Sequence, residues 1–369
     1  MELFKKKIKY YSLDKIKEKK ATYNFIFGLR SNGKSYACLK EGLLNYVKNK
    51  KQMALVRRWK EDFIGKRGQA MFSALIENDE VRKATKGEFD TIVYYASKWY
   101  LGKTEEDGSV TRCDDPFCFG FALSDFEHDK STSYPNITMI VFDEAISRMG
   151  YLKDEFVIFI NVVSTIIRSR TDCVIYLLGN TVNKYCPYFA EMGLKHISKM
   201  KPGDIDVYTY GDSALRVAVE YAEPLKKGEK NNNDYFFAFD NPKLKMITTG
   251  AWEIDIYPHL PIKYRPKDVL FNFFLIFNGT ILHCEIIHAG GTVFTYIHEK
   301  TTPIKDEEKD IIFTTEAKAG FNYRRNILKP VDNLDKKILK FFRDYKVFYQ
   351  NNEVGEVVRN YLLWCNNKG

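Results

Sequence analysis

An α/β fold built on a parallel sheet, followed by a smaller α+β domain, is what this sequence predicts, and three stretches carry the prediction. The first is Gly28-Leu29-Arg30-Ser31-Asn32-Gly33-Lys34-Ser35, which fits the phosphate-binding pattern G-x-x-x-x-G-K-[ST] at each fixed position. Thr22–Phe27 (TYNFIF) precedes it as a β-branched and aromatic strand, and Ser35–Lys48 (SYACLKEGLLNYVK) follows as an amphipathic helix. The second is Ile137–Phe142 (ITMIVF), apolar but for one Thr and ending in Asp143-Glu144. The third is Cys173–Leu178 (CVIYLL), closed by Gly179-Asn180. Apolar runs of this kind suit strands buried on both faces of a parallel sheet. Polar residues at their C-terminal ends lie where such sheets bind ligands.

The residue types state the chemistry. Gly28 and Gly33 let the backbone approach a phosphate and adopt positive φ without a Cβ clash. Successive backbone N–H groups and the helix N-terminus then form an anion-binding nest, and Arg30, Asn32, Gly33 and Tyr36 are expected among the nucleotide-binding residues. Lys34 reaches the β- and γ-phosphates of ATP, and the Ser35 hydroxyl ligates Mg²⁺. Asp143 is expected to hold Mg²⁺ through a water. Glu144 is expected to act as the general base on the attacking water. Asn180, on a strand tip beside the phosphate loop, is placed to sense the γ-phosphate or simply to form a turn.

Composition narrows the class. A chain of 369 residues is longer than one typical domain. A net charge of +9 favours a polyanionic partner. Seven scattered cysteines with no C-x-x-C pair read as a reduced cytosolic chain. The Lys-rich start MELFKKKIKYY lacks an apolar segment of secretory type. The longest apolar runs, near Val157–Ile167 and Val269–Leu282, are interrupted by Asn and too short to span a bilayer, so no membrane partner is expected.

The remaining elements follow in order. Residues 1–21 form a basic lead-in expected to be helical. Met53–Val56 is a second strand, ending in Arg57-Arg58-Trp59-Lys60, which could touch nucleotide or a neighbouring subunit, or form a solvated loop. A helix is expected over Glu61–Asn78 and a single alternating strand over Thr91–Leu101. Asp107-Gly108 marks a hairpin turn, with Phe117–Leu123 the returning strand. The polar loop Ser124–Asn136 carries Lys130, and the helix Phe156–Ile167 ends in Arg168-Ser169-Arg170. Lys199–Asp206 (KMKPGDID) breaks the pattern, which sets the expected domains at 1–200, a linker at 201–245 and a second domain at 246–369. From Met246 the text turns to short meandering strands, closed by helices near Leu334–Tyr345 and Glu353–Trp364. His283 and Glu285 share a strand face near His288 and His298. Histidines scattered on strands are ordinarily solvent-facing, so no metal is assigned to them.

Several stretches together resemble one family: GLRSNGKSYA at Gly28, LVRRWK at Leu55, KSTSYPNITMIVFDE at Lys130, IIRSR at Ile166 and LLGNTVN at Leu177. Their order and spacing are similar to those of the DNA-packaging ATPases of small phi-29-type bacteriophages. The resemblance spans most of the first 195 residues and extends weakly through FLIFNG at Phe274 and VVRN at Val357. It implies an ASCE P-loop NTPase domain of RecA-like type. It implies an ATP-driven motor that docks from the host cytoplasm on a prohead and threads double-stranded DNA through the portal (connector) protein. It further implies a homo-oligomeric ring, a homopentamer in relatives, with active sites between subunits, and in some relatives a prohead scaffold RNA.

On this resemblance Arg168 matches the arginine finger supplied to a neighbour, with Arg170 the second choice, and Lys130 matches a further basic position acting across the interface. A bland alternative has Arg168 merely capping its helix. The larger terminases carry an RNase H-like nuclease; here the strand Asn272–Asn278 lacks a convincing acidic triad, with Asn278 near where an essential Asp is expected. The expectation is therefore a vestigial RNase H-like fold without cleavage. The alternatives are a complete terminase with an active metal-dependent nuclease, a nucleotide-gated portal-binding module, and, more weakly, a small-molecule kinase.

Overall fold

A computed structural model describes residues 10–128, 132–148, 150–224 and 257–367. The chain divides into two compact units, residues 1–252 and 253–369. In the first unit the strands are β1 (Tyr23–Gly28), β2 (Gln52–Arg57), β3 (Thr91–Tyr95), β4 (Lys98–Thr104), β5 (Val110–Arg112), β6 (Cys118–Ala122), β7 (Ile137–Phe142), β8 (Val174–Asn180), β9 (Ile205–Thr209) and β10 (Arg216–Tyr221). Its helices are α1 (Asp14–Lys17), α2 (Lys34–Asn49), α3 (Lys66–Ala70), α4 (Ser73–Glu77), α5 (Glu80–Ala84), α6 (Glu155–Ile167) and α7 (Pro187–Glu191). The strands form one sheet in the order β3-β4-β6-β2-β7-β8-β1-β10-β9, with β5 paired on β4. The six strands β6 to β10 in that order run parallel; β4 and β9 flank them antiparallel.

Both faces of the sheet are covered, which is why its strands read as near-continuous apolar text. Phe25 and Phe27 of β1 pack with Ile140 and Phe142 of β7 under Phe159 and Val162 of α6 and Tyr188 of α7. The alternate residues Ile26, Met139 and Val141 pack on the other face against Cys38 and Leu43 of α2, Leu75 of α4 and Val81 of α5.

Three expectations are corrected here. The helix expected over Glu61–Asn78 is a 3₁₀ turn (Lys60–Phe63) followed by the short α3 and α4. The chain breaks at Gly65, where φ is +56°. Gly68 lies so close to Tyr94 that a Cβ there would stand 2.6 Å from the ring's Cζ. The single strand expected over Thr91–Leu101 is the hairpin β3–β4, turned at Ala96 and Ser97 with φ of +47° and +57°. The first domain does not end at residue 200. Lys201–Asp204 is a turn, and β10 pairs in parallel with the phosphate-loop strand β1. Residues 216–222 thereby cover an edge of β1 that would otherwise leave its backbone unpaired. The N-terminal lead-in is described only from residue 10 and contains just the one-turn α1.

The second unit contains β11 (Val269–Phe277), β12 (Thr280–Ala289), β13 (Thr292–Glu299), β14 (Ile312–Thr314), β15 (Tyr323–Arg324) and β16 (Val347–Tyr349), with helices α8 (Asn333–Arg343) and α9 (Asn352–Asn367). Its sheet runs β15-β14-β11-β12-β13-β16. The meander β11–β12–β13 is antiparallel, whereas β14 joins β11, and β15 joins β14, in parallel. Asn278 and Gly279, with φ of +47° and +79°, form the tight β11–β12 turn, so Asn278 is a turn residue. The strand expected from Met246 falls mainly outside the described residues. No helix of the described residues is long and apolar enough to cross a membrane.

Candidate functional site

Residues 28–35 make the turn from β1 into α2. Gly33 caps α2 with φ of +95°, and a Cβ there would stand 3.2 Å from Tyr10 Cβ, so only glycine suits the position. Ser31 is also left-handed at φ +59°. The loop is pinned from outside by Tyr11, whose N–H donates to the Asn32 carbonyl at 3.0 Å, and by Thr181, whose N–H donates to the Gly28 carbonyl at 3.1 Å. The loop borders a cavity of about 510 Å³ whose lining includes Arg30, Lys34, Ser35, Asp143, Glu144 and Asn180.

Inside it, Lys34 is buried, and its Nζ donates to the Leu29 carbonyl (2.6 Å), Asn32 Oδ1 (3.1 Å) and Asn180 Oδ1 (3.4 Å). Burial pushes its ammonium down to about 8, with the charge of Asp143 opposing part of that shift. Asn180 reaches Lys34 because β8 lies directly beside β1 with Gly28 and Asn180 in register. The Ser35 hydroxyl donates to Asp143 Oδ1 at 2.9 Å. Thus the motif serine and the acid at the tip of β7, 108 residues apart in sequence, meet at one point although β8 separates their strands. Glu144 follows with φ of +64°, and Tyr36 lines the cavity while donating its hydroxyl to Glu80 at 2.8 Å.

These residues fit a nucleoside triphosphate with Mg²⁺. Asn32 Nδ2 is a buried donor without an acceptor, which is the signature of a missing anionic ligand in a loop of this shape. Ser35 and Asp143 supply the hard oxygens that Mg²⁺ takes. When bound, the ion neutralises charge on the phosphates.

The comparisons with known proteins point the same way. The family model "Podovirus DNA encapsidation protein (Gp16)" matches residues 113–219. The DNA packaging protein of Bacillus phage PZA is 26% identical over 328 residues, covering 86% of this chain and 89% of that protein. The DNA packaging protein of Bacillus phage B103 is 30% identical over 174 residues, 46% of this chain and 48% of the relative. The chain is similar to the DNA packaging proteins of phi29-type phages. The fold agrees: the solved bacteriophage Phi-29 viral genome packaging motor assembly superposes with a TM-score of 0.56 at 20% identity, over 97% of this chain and 99% of that one.

In this chain the sequence-expected residues divide into two groups. Gly28, Arg30, Asn32, Gly33, Lys34, Ser35, Tyr36, Asp143, Glu144 and Asn180 gather around one loop and cavity. Arg168 and Arg170 do not. Arg168 closes α6, is exposed, and donates to the Thr132 carbonyl at 3.2 Å. Arg170 donates to the Tyr134, Ile137 and Ile166 carbonyls and pairs with Asp172 at 3.0 Å, so its guanidinium is committed to its own fold. Both stand at the start of β7, whereas Asp143 stands just past its end; six strand residues separate the two ends by about 20 Å. Lys130 lies outside the described residues.

Sequence reasoning left Arg57 and Arg58 undecided, and both belong to the site. Arg57 ends β2 beside the tip of β7, because Val56 pairs with Phe142. Its guanidinium holds Asp143 Oδ2 at 3.1 Å, Glu144 Oε2 at 3.3 Å and Asp62 Oδ2 at 3.4 Å. Arg58 points to the opposite face, where it forms a two-pronged pair with Glu155 at 2.7 and 2.8 Å. It also donates to the carbonyls of Glu144 and Ala145, both at 3.1 Å. The two arginines therefore hold the side chain and the backbone of Glu144 respectively, which sustains its unfavourable φ. The available signal was their place at the end of a strand, but which strand β2 would lie beside is a tertiary fact.

Proposed function

We propose that this chain is the ATP-driven motor subunit of a phage DNA-packaging machine, hydrolysing ATP at the interfaces of a homo-oligomeric ring. In this reading Lys34 and the loop N–H groups hold the phosphates of ATP, Ser35 and Asp143 hold Mg²⁺, and Glu144 takes the proton of the attacking water. Asn180 reports the γ-phosphate to Lys34. The observation that carries the proposal is the separation of Arg168 from its own phosphate loop by the length of β7. The loop has a cation, hard-oxygen ligands and an acid, and in this reading the arginine finger comes from a neighbouring subunit. The similarity to DNA packaging proteins supports DNA as the polyanion; in this reading it is double-stranded and is driven through a portal into a prohead in the host cytoplasm. A pentameric ring and docking on the portal protein or a scaffold RNA belong to the same reading.

The second unit we read as a vestigial RNase H-like domain. Its meander with two parallel strands added on the side of β11 supports that topology, and β11 itself carries no carboxylate. Metal-dependent cutting of DNA by the intact chain would instead favour a complete terminase.

The test is steady-state ATPase activity of assembled protein mixed in varying ratios with Arg168→Ala, with and without duplex DNA. A shared site makes activity fall faster than the wild-type fraction and rise with DNA. Activity proportional to wild-type content and indifferent to DNA overturns the ring motor.

A further inference from the structure

The meander of the second unit brings together three polar side chains that the proposed packaging reaction does not use. His283 on β12 lies directly opposite His298 on β13, and their rings stand 4.9 Å apart, edge to face. Directly opposite positions on antiparallel strands are the closest cross-strand pairs on a face. Glu285 is two residues from His283 on the same strand and so shares that face. Its Oε2 lies 3.4 Å from His298 Nε2. One donor atom from each of these three residues falls within 4.8 Å of the others.

We propose that His283, Glu285 and His298 hold one divalent transition-metal ion, zinc by donor type, with a fourth position open to water. Two imidazoles and a carboxylate are ligands of the kind zinc takes. Tetrahedral bonds of about 2.0–2.2 Å place ligand atoms roughly 3.4 Å apart, the spacing already present between Glu285 and His298. The surroundings orient the ligands as metal sites require. Asn272 Oδ1, across on β11, stands 2.9 Å from His283 Nε2, and the Glu299 carbonyl stands 3.2 Å from His298 Nδ1. A ring N–H given to each of these acceptors leaves the other nitrogen with its lone pair. The Tyr264 hydroxyl donates to the Glu285 carboxylate and fixes its rotamer. The site is partly sheltered and reachable: the side chain of Glu285 is 13% exposed and that of His298 26%. His288, exposed further along β12, is outside the cluster.

The test uses the full-length, nucleotide-free chain titrated with Co²⁺ alone, followed by visible absorption. One ion per chain with ligand-field bands and no thiolate charge-transfer band is expected. His283→Gln and His298→Gln should each weaken binding by about tenfold or more, while His288→Gln leaves it unchanged. Should either ligand variant fail to fold, X-ray absorption of the zinc-loaded wild-type chain decides: a shell of nitrogen and oxygen with imidazole scattering supports the site. A sulfur shell, binding retained in both ligand variants, or no stoichiometric binding overturns it.

Discussion

Burial sets the behaviour of Lys34. A lysine held at about 8 is largely neutral above that pH in the free protein, yet must be charged against phosphate. The free form thus binds fewer protons than the nucleotide-bound form between about pH 8 and the ordinary lysine range. Nucleotide binding at pH 8.5–9 should therefore take up close to one proton, and affinity should fall as pH rises through that window. Calorimetry in buffers of different ionisation enthalpy measures the uptake directly; none at pH 9 would refute it. Lys34→Ala should abolish turnover and nucleotide binding together. Glu144→Gln should abolish turnover while retaining nucleotide, as equilibrium binding with a fluorescent ATP analogue can show. At Arg58 the consequence is structural. Its ion pair with Glu155 is almost wholly buried, with side-chain exposures of 6% and 0%. Removing one partner leaves an unpaired buried charge, so Glu155→Ala should destabilise the first unit by about 3–5 kcal/mol in a denaturant titration.

Elements are positioned around the site by close approaches at small residues. Gly179 of β8 faces Ile146, in the loop that follows Glu144, and a Cβ there would stand 2.5 Å from Ile146 Cγ1. Ile146 is buried and branched, so the loop rather than the side chain must give way. Gly179→Ala is expected to displace Glu144 and lower ATP turnover by about 10²-fold; unchanged turnover would show that the loop is not set from β8. The long strands and helices were legible in sequence. β7, α2, α6 and α8 fall within one or two residues of their expected bounds, because each carries its own period and ends at a polar or glycine break. The stretch between β2 and β6 was not. The break of the expected 61–78 helix answers to Gly65, and to the contact of Gly68 with Tyr94. The β3–β4 hairpin turns at Ala96-Ser97, residues without the glycine or asparagine that signals such a turn.

At the scale of the whole molecule, charge and assembly decide behaviour. With a net charge of +9, and DNA phosphates the partner under the proposed function, DNA affinity should ignore sequence and fall steeply with salt. Filter binding of unrelated duplexes across a salt series checks both; a strong sequence preference would count against a translocating motor. The proposed ring would place a further demand on α6. Because that helix carries the chain from the ligand edge of the sheet back to the opposite edge, the residue at its end serves a neighbour or serves structure only. Arg170 serves structure, through three carbonyls and Asp172.

By itself the sequence determined the phosphate loop, the acid-tipped strand and the parallel-sheet α/β class, since these depend on glycine conformation, local period and unbroken apolar runs. Only the tertiary structure decided which strands became neighbours. That choice brought Ser35 to Asp143, Asn180 to Lys34 and Arg57 to Glu144. It also carried the first unit's sheet past residue 200, where β10 pairs with β1. Strand order follows from which apolar surfaces fit over a whole sheet, a property of many residues at once that no local pattern encodes.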